Sequence, residues 1–195
     1  MIKLKPKISD FQESNKFDLF NEAFLQKYKH NKNSIIEYYY NHFEKSKQNI
    51  YYELIGYLFE LIGFSKCSIT REGDTNNRMD ALILESDYTI PIEIKSPTEI
   101  AYINIKSISQ ALENKIILTS RKLFVNNFND TSLVVAHNYP NTRSEVNDLI
   151  EFYCNSYKIN IGCLDFKSIF SIAYDVVVEK KQFDKDLIKN LKGFL

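Results

Sequence analysis

The sequence has little of what would place it in several common protein classes. Its three cysteines, Cys67, Cys154 and Cys163, show no CxxC or His-paired spacing, so we expect neither a disulfide framework nor a structural zinc site. It contains no run of about 18 apolar residues, and the start MIKLKPKISDF carries no apolar signal segment. These absences predict a soluble protein of the reducing cytoplasm, with no membrane association.

The sequence has no excess of positive or negative charge. Lys and Arg together number 25, as do Asp and Glu, so the net charge is zero. Because non-specific affinity for nucleic acid comes mainly from a basic surface, strong free-standing DNA binding is not expected. The sequence also lacks a Gly-rich phosphate loop, a Rossmann fingerprint and the signs of a Ser-His-Asp triad, which excludes the corresponding enzyme classes.

What is present is enough for one folded unit. The chain has 195 residues, 44% of them hydrophobic, and its five Gly and four Pro are scattered, with no linker or repeat. Residues 1–48 are polar, but apolar groups at spacings of 3 and 4 predict two short amphipathic helices. We therefore predict a helical lead-in over residues 1–48 and a main domain over residues 49–195.

The main domain alternates between helical and strand patterns. The apolar pattern over 49–64 predicts a helix that stops at Gly63. A further helix is predicted to begin at Asn104. That second helix either ends near Lys115, before a strand at KIILTS, or continues to Leu123, and the long helix is favoured. Strands are predicted at KCSIT, MDALILE, TIPIEIKS, SLVVAHN and INIGCLDF, with a helix at RSEVNDLIEFYCNSY and a helical tail to Leu195. This order predicts a mixed α/β sandwich.

Three charged residues on neighbouring predicted strands suggest a chemical site. Asp80 begins one strand, whereas Glu93 and Lys95 lie two apart on the next and so project to the same face, opposite Ile92 and Ile94. The short connection after the first strand fits a hairpin, which would bring Asp80 alongside Glu93. Two carboxylates with a nearby cation suit Mg²⁺, which prefers hard oxygen ligands.

The same residues carry a resemblance to a known family. The pattern Asp80, then Glu93-Ile94-Lys95, preceded by the helix YYELIGYLFELIGF, resembles the PD-(D/E)xK superfamily of restriction-endonuclease-like nucleases. From about residue 50 onward, the chain is similar to the cleavage domain of FokI-type type IIS restriction endonucleases and to the small catalytic subunits of heterodimeric type IIS enzymes. Met79 stands where many relatives have Pro, and Glu93 replaces the Asp of some.

The resemblance implies a restriction-endonuclease-like mixed β-sheet core flanked by helices. It also implies a Mg²⁺-dependent endodeoxyribonuclease in which Asp80 and Glu93 bind the metal and the Ile94 carbonyl is a possible further ligand. Lys95 would orient the attacking water or stabilise the charge of the transition state. Glu53 matches a helical carboxylate near the metal, with Glu60 as the competing candidate, and Gln110 matches a residue that supports the site or contacts a phosphate.

Partners and alternatives follow from the charge balance. Double-stranded DNA is the expected substrate, delivered by a larger DNA-recognising subunit or by transient dimerisation. Isolated basic residues that could contact the DNA backbone are Arg78, Lys106, Arg121, Lys122 and Arg143. A homodimeric resolvase or repair nuclease of the same fold, and a non-catalytic module that binds nucleic acid or protein, remain open. His137, at the end of a predicted buried strand, is expected to be a satisfied or capping histidine.

Overall fold

The computed structural model describes residues 17–70, 79–121, 129–141 and 145–195, apart from the side chain of Arg121. The helices are α1 Glu22–Lys27, α2 Lys32–Phe43, α3 Gln48–Ile62, α4 Ile105–Arg121, α5 Val146–Tyr157, α6 Phe166–Val177 and α7 Asp186–Lys189. The strands are β1 Cys67–Ile69, β2 Ala81–Leu84, β3 Thr89–Lys95, β4 Thr131–Ala136, β5 Asn160–Asp165 and β6 Gly193–Phe194.

The strands of this described part form one mixed sheet in the order β1-β2-β3-β4-β5-β6. β1, β2 and β3 pair antiparallel, as expected for strands joined by short connections, and β3 to β6 pair parallel through helical crossovers. The predicted α/β class, a mixed sheet flanked by helices, is confirmed. β3 is therefore the strand at which the two kinds of pairing meet.

Helix α3 forms where its apolar spacing predicts it. Leu54, Leu58 and Ile62 recur at intervals of four and are buried. The helix ends at Gly63, whose φ of 110° lies in the left-handed region that a glycine adopts without steric cost. α3 packs against α6 and β1, so it lies across one face of the sheet.

Helices cover the sheet on both faces. α2, α3 and α6 enclose the larger apolar core, which includes Ile92 and Ile94 of β3. α4 and α5 cover the opposite face, where Ile108 and Val134 belong to a second buried cluster. α4 runs without a break through the KIILTS segment to Arg121, so the long helix is confirmed that far, and residues 122 and 123 lie outside the described part.

The lead-in helices pack into the larger core. Leu25 of α1 and Ile35, Tyr39 and Phe43 of α2 are buried in the same apolar cluster as α3 and α6. The boundary at residue 48 remains a prediction, and residues 1–16 lie outside the description.

The prediction of a helical tail was wrong between α6 and α7, where residues 178–185 are not helical, and again for its last residues. After α6 and α7 the chain adds β6 to the edge of the sheet, parallel to β5, with Gly193 opposite Gly162 and Phe194 opposite Cys163. A two-residue strand is too short to show a period of two, and Gly193, with φ of 78°, is incompatible with continued helix. None of the described helices is long and apolar enough to cross a bilayer.

Candidate active site

The β2–β3 hairpin brings Asp80 and Glu93 together. The backbone N–H of Glu85 donates to the carbonyl of Tyr88 at 3.0 Å, which closes a tight turn. The register pairs Ala81 with Ile92, so the preceding residue, Asp80, faces Glu93 at the open end of the hairpin. Asp80 Oδ2 accepts a hydrogen bond from the Ile94 backbone N–H at 2.8 Å, which continues the contact between the two arms of the hairpin.

Glu93 is a buried carboxylate held from two directions. Its side chain points away from Ile92 and Ile94 and lies under α4, and the residue is 3% exposed. Lys95 Nζ donates to Glu93 Oε1 at 2.7 Å, and Asn114 Nδ2 donates to Glu93 Oε2 at 2.9 Å. A buried charge requires such partners, and the two contacts fix the orientation of this carboxylate.

The environment of Asp80 opposes a second negative charge. Burial, followed by repulsion from Glu93, raises the pKa of Asp80 to about 7, although the Ile94 N–H and Lys95 act in the opposite direction. The two carboxylates are thus close enough to interact strongly. A cation placed between them would offset this repulsion.

Tyr52 is a member of the site that sequence reasoning missed. Its hydroxyl donates to the carbonyl of Ile94 at 2.8 Å and accepts from Gln48 Nε2 at 3.0 Å. Burial, with a contribution from Asp80, raises the pKa of Tyr52 above its usual range, so the hydroxyl keeps its proton. The Ile94 carbonyl, expected as a possible metal ligand, therefore already accepts one hydrogen bond, with a second lone pair remaining.

The two helical glutamates have different environments. Glu60 is exposed, and its Oε1 accepts a hydrogen bond from the Cys67 backbone N–H at 3.2 Å, so it supports the start of β1. Glu53 has a buried Oε2 with no hydrogen-bond partner in the described part of the chain. Nowhere in that part do three His, Cys, Asp or Glu side chains gather closely enough to hold a metal ion. Asp80 and Glu93 thus form a pair that Glu53 does not join.

Helix α4 supplies the polar groups on the Glu93 side. Gln110 has a buried Oε1 that finds no partner among the described residues, and Asn114, one helical turn later, contacts Glu93 directly. The sequence offered one signal for Asn114, its spacing of four from Gln110 on the same helical face. Lys106 lies exposed in the first turn of this helix.

The remaining basic candidates have side chains that the structure does not describe. Arg78, Lys122 and Arg143 lie outside the described residues, as does the side chain of Arg121 at the end of α4.

Comparisons with known proteins give the fold. No family model matches the chain, and no curated protein matches it. Among solved structures, the chain is similar to the restriction endonuclease FokI, with a TM-score of 0.54 and 11% sequence identity. The match covers 75% of this chain but 28% of the FokI chain, so this protein spans a minor part of that enzyme's length. The chain therefore has a restriction-endonuclease-like fold.

Proposed function

We propose that this protein is a Mg²⁺-dependent endodeoxyribonuclease in which Asp80, Glu93 and Lys95 form the reactive centre. The observation that carries the proposal is the meeting of these residues: Asp80 faces Glu93 across the hairpin, and Lys95 Nζ lies 2.7 Å from Glu93 Oε1. The similarity to FokI supports a nuclease at the level of the fold. The site itself supports phosphodiester hydrolysis because it combines hard oxygen donors with a cation.

The side chains fit a divalent cation. Asp80, which is half-buried, and Glu93, which is buried, repel each other, and their oxygens are the ligand type that Mg²⁺ prefers. These two residues would hold the ion, with the Ile94 carbonyl as an additional oxygen donor, whereas Glu53, which does not join the pair, would act on the site only through water. Bound Mg²⁺ would neutralise charge on the scissile phosphate and make a water molecule more acidic.

Lys95, Asn114 and Tyr52 would have different roles in this reaction. Lys95 would orient the attacking water and stabilise the negative charge that develops on the phosphate. Asn114 holds Glu93 through Oε2 and so acts as a positioning residue. Tyr52 fixes the Ile94 carbonyl, and through it the end of β3 where Lys95 lies.

The charge balance favours a division of labour. A chain with no net charge has little general affinity for DNA, so recognition would belong to a partner. We propose that the chain is the cleavage subunit or domain of a type IIS restriction endonuclease, working with a larger DNA-recognising subunit or as a transient dimer. Contacts to the backbone of double-stranded DNA would come from Gln110, Lys106, Arg78, Arg121 and Lys122.

Plasmid nicking tests the proposal. The purified chain, alone and with the product of a neighbouring reading frame, is incubated with supercoiled plasmid and Mg²⁺ or EDTA. We expect nicking that requires Mg²⁺ and is lost in Asp80→Ala and Lys95→Ala. Glu151→Ala, an exposed carboxylate on α5, is the matched control and should nick like the wild type. If the wild type never nicks, or if the first two variants cut normally, the proposal is wrong.

The two helical glutamates are separated by a second pair of variants. Glu53→Gln should reduce nicking, because it changes a buried carboxylate on α3 whose Oε2 has no hydrogen-bond partner among the described residues. Glu60→Gln should leave the cleavage rate unchanged, because its side chain supports β1 rather than the site. Equal rates for Glu53→Gln and the wild type would remove Glu53 from the reactive centre.

A further inference from the structure

A separate polar cluster lies on the sheet face opposite Glu93. Tyr51 of α3 and His137, the residue after β4, are both 0% exposed, and their ring centroids are 6.0 Å apart. His137 belongs with the α3 side because its ring also packs against Phe166 of α6. Neither residue takes part in the proposed reaction.

Three polar atoms of this pair have no hydrogen-bond partner within the described residues: the Tyr51 hydroxyl, His137 Nδ1 and His137 Nε2. No described residue therefore satisfies His137, and among these residues it caps nothing, so the expectation of a satisfied or capping histidine stays a prediction. Buried polar groups are almost always paired with protein or with ordered water, because an unpaired one retains its full desolvation penalty. Three such atoms on two neighbouring rings call for a hydrogen-bond partner other than the described residues.

The chemistry of the pair limits what that partner can be. Burial lowers the pKa of His137, so the neutral imidazole offers one donor and one acceptor nitrogen. Burial also raises the pKa of Tyr51 well above its usual range, so its hydroxyl keeps its proton. Tyr40 stacks on one face of the imidazole, at 4.2 Å between centroids, and Phe166 packs beside it at 5.5 Å. The two nitrogens can form hydrogen bonds only at the edge of the ring. Because one is a donor and the other an acceptor, the partner must be a small neutral molecule that both donates and accepts hydrogen bonds.

We infer that the junction between α3 and β4 is an internal hydration site, in which Tyr51 and His137 bind at least two water molecules. One water is shared between the Tyr51 hydroxyl and one imidazole nitrogen. Because the two ring nitrogens point in different directions, a single water cannot serve both, and the second nitrogen requires another. Buried waters of this kind bind otherwise unsatisfied groups and form part of the fold.

A high-resolution crystal structure of the full chain tests the inference directly. We expect density for ordered water within hydrogen-bonding distance of the Tyr51 hydroxyl and of both imidazole nitrogens. A dry junction, or density for a larger molecule, would overturn the inference. Neither result depends on whether the protein cleaves DNA.

The sign of a stability change gives a second test. A hydrated hydroxyl contributes a hydrogen bond, so Tyr51→Phe should lower Tm by about 2–4 °C. The matched control is Tyr39→Phe, because the Tyr39 hydroxyl is also buried and donates to the Leu19 carbonyl at 2.9 Å. A similar loss in both variants supports hydration. A higher or unchanged Tm for Tyr51→Phe, with the expected loss for Tyr39→Phe, overturns it.

Discussion

Replacement of Asn114 by alanine is the sharpest test of how the candidate site is supported. Asn114 is 3% exposed, and its amide donates to Glu93 Oε2 at 2.9 Å, whereas Lys95 occupies Oε1. Without the amide, Oε2 of the buried Glu93 carboxylate loses its hydrogen-bond donor. Of the two contacts described above, only the one from Lys95 to Oε1 then holds Glu93. A variant of this kind removes a positioning contact and leaves Asp80 and Lys95 in place.

The size of the effect follows from the type of hydrogen bond. Hydrogen bonds to charged groups contribute about 1.5–3 kcal/mol, and about 1.4 kcal/mol corresponds to a tenfold change, so a loss of roughly 10- to 150-fold is expected. We expect the Mg²⁺ concentration for half-maximal plasmid nicking to rise within that range. The rise in Tm that Mg²⁺ produces in the wild type should shrink in parallel, and this readout does not require DNA.

Lys115→Met is the control for loss of a buried polar side chain of α4 that does not contact Glu93, because Lys115 is the next residue, is equally buried and has a different partner, Asn129. It should keep the Mg²⁺ dependence of the wild type. If Asn114→Ala is folded and its half-maximal Mg²⁺ concentration stays within twofold of the wild type, the support assigned to Asn114 is refuted.

Two further predictions concern stability. Burial lowers the pKa of Lys115 to about 8 from 10.5, so between these pH values the unfolded state binds more protons and stability rises with pH. Lys115→Met should therefore increase the free energy of unfolding by up to about 3 kcal/mol at pH 7, and by less at pH 9.5, in urea titrations. A gain that does not change with pH would contradict this account. Tyr52→Phe leaves the Ile94 carbonyl without its 2.8 Å donor, so urea unfolding should show a loss of about 1–3 kcal/mol, and an unchanged midpoint would contradict this.

The hairpin that carries Asp80, Glu93 and Lys95 could be predicted because its information is local. Alternation along TIPIEIKS assigns Glu93 and Lys95 to one face, and the length of the connection fixes which residues lie opposite each other. Both features are properties of adjacent residues. The observed register agrees with them, with Ala81 opposite Ile92.

The surroundings of the hairpin could not be predicted in the same way. Asn114 reaches Glu93 from 21 positions along the chain, and Tyr52 reaches Ile94 from 42, so both contacts depend on how α4 and α3 dock on the sheet. The edge strand β6 has two residues, too few to show the alternation of polar and apolar residues that identifies a strand in a sequence. A polar residue on a helix is expected to face solvent until a tertiary partner is known, so the sequence alone does not assign Asn114 to the site and indicates Gln110 only through the resemblance.

The closeness in sequence of the two carboxylates has a consequence for how the protein folds and tolerates change. Asp80 and Glu93 belong to one hairpin, and isolated hairpins close in about 1–10 μs, long before a sheet of this topology is complete. Their spacing is therefore set by a local folding event. Insertions in the crossover segments should slow the assembly of the parallel strands and lower the yield of folded protein, while the molecules that do fold retain the same distance between the carboxylates.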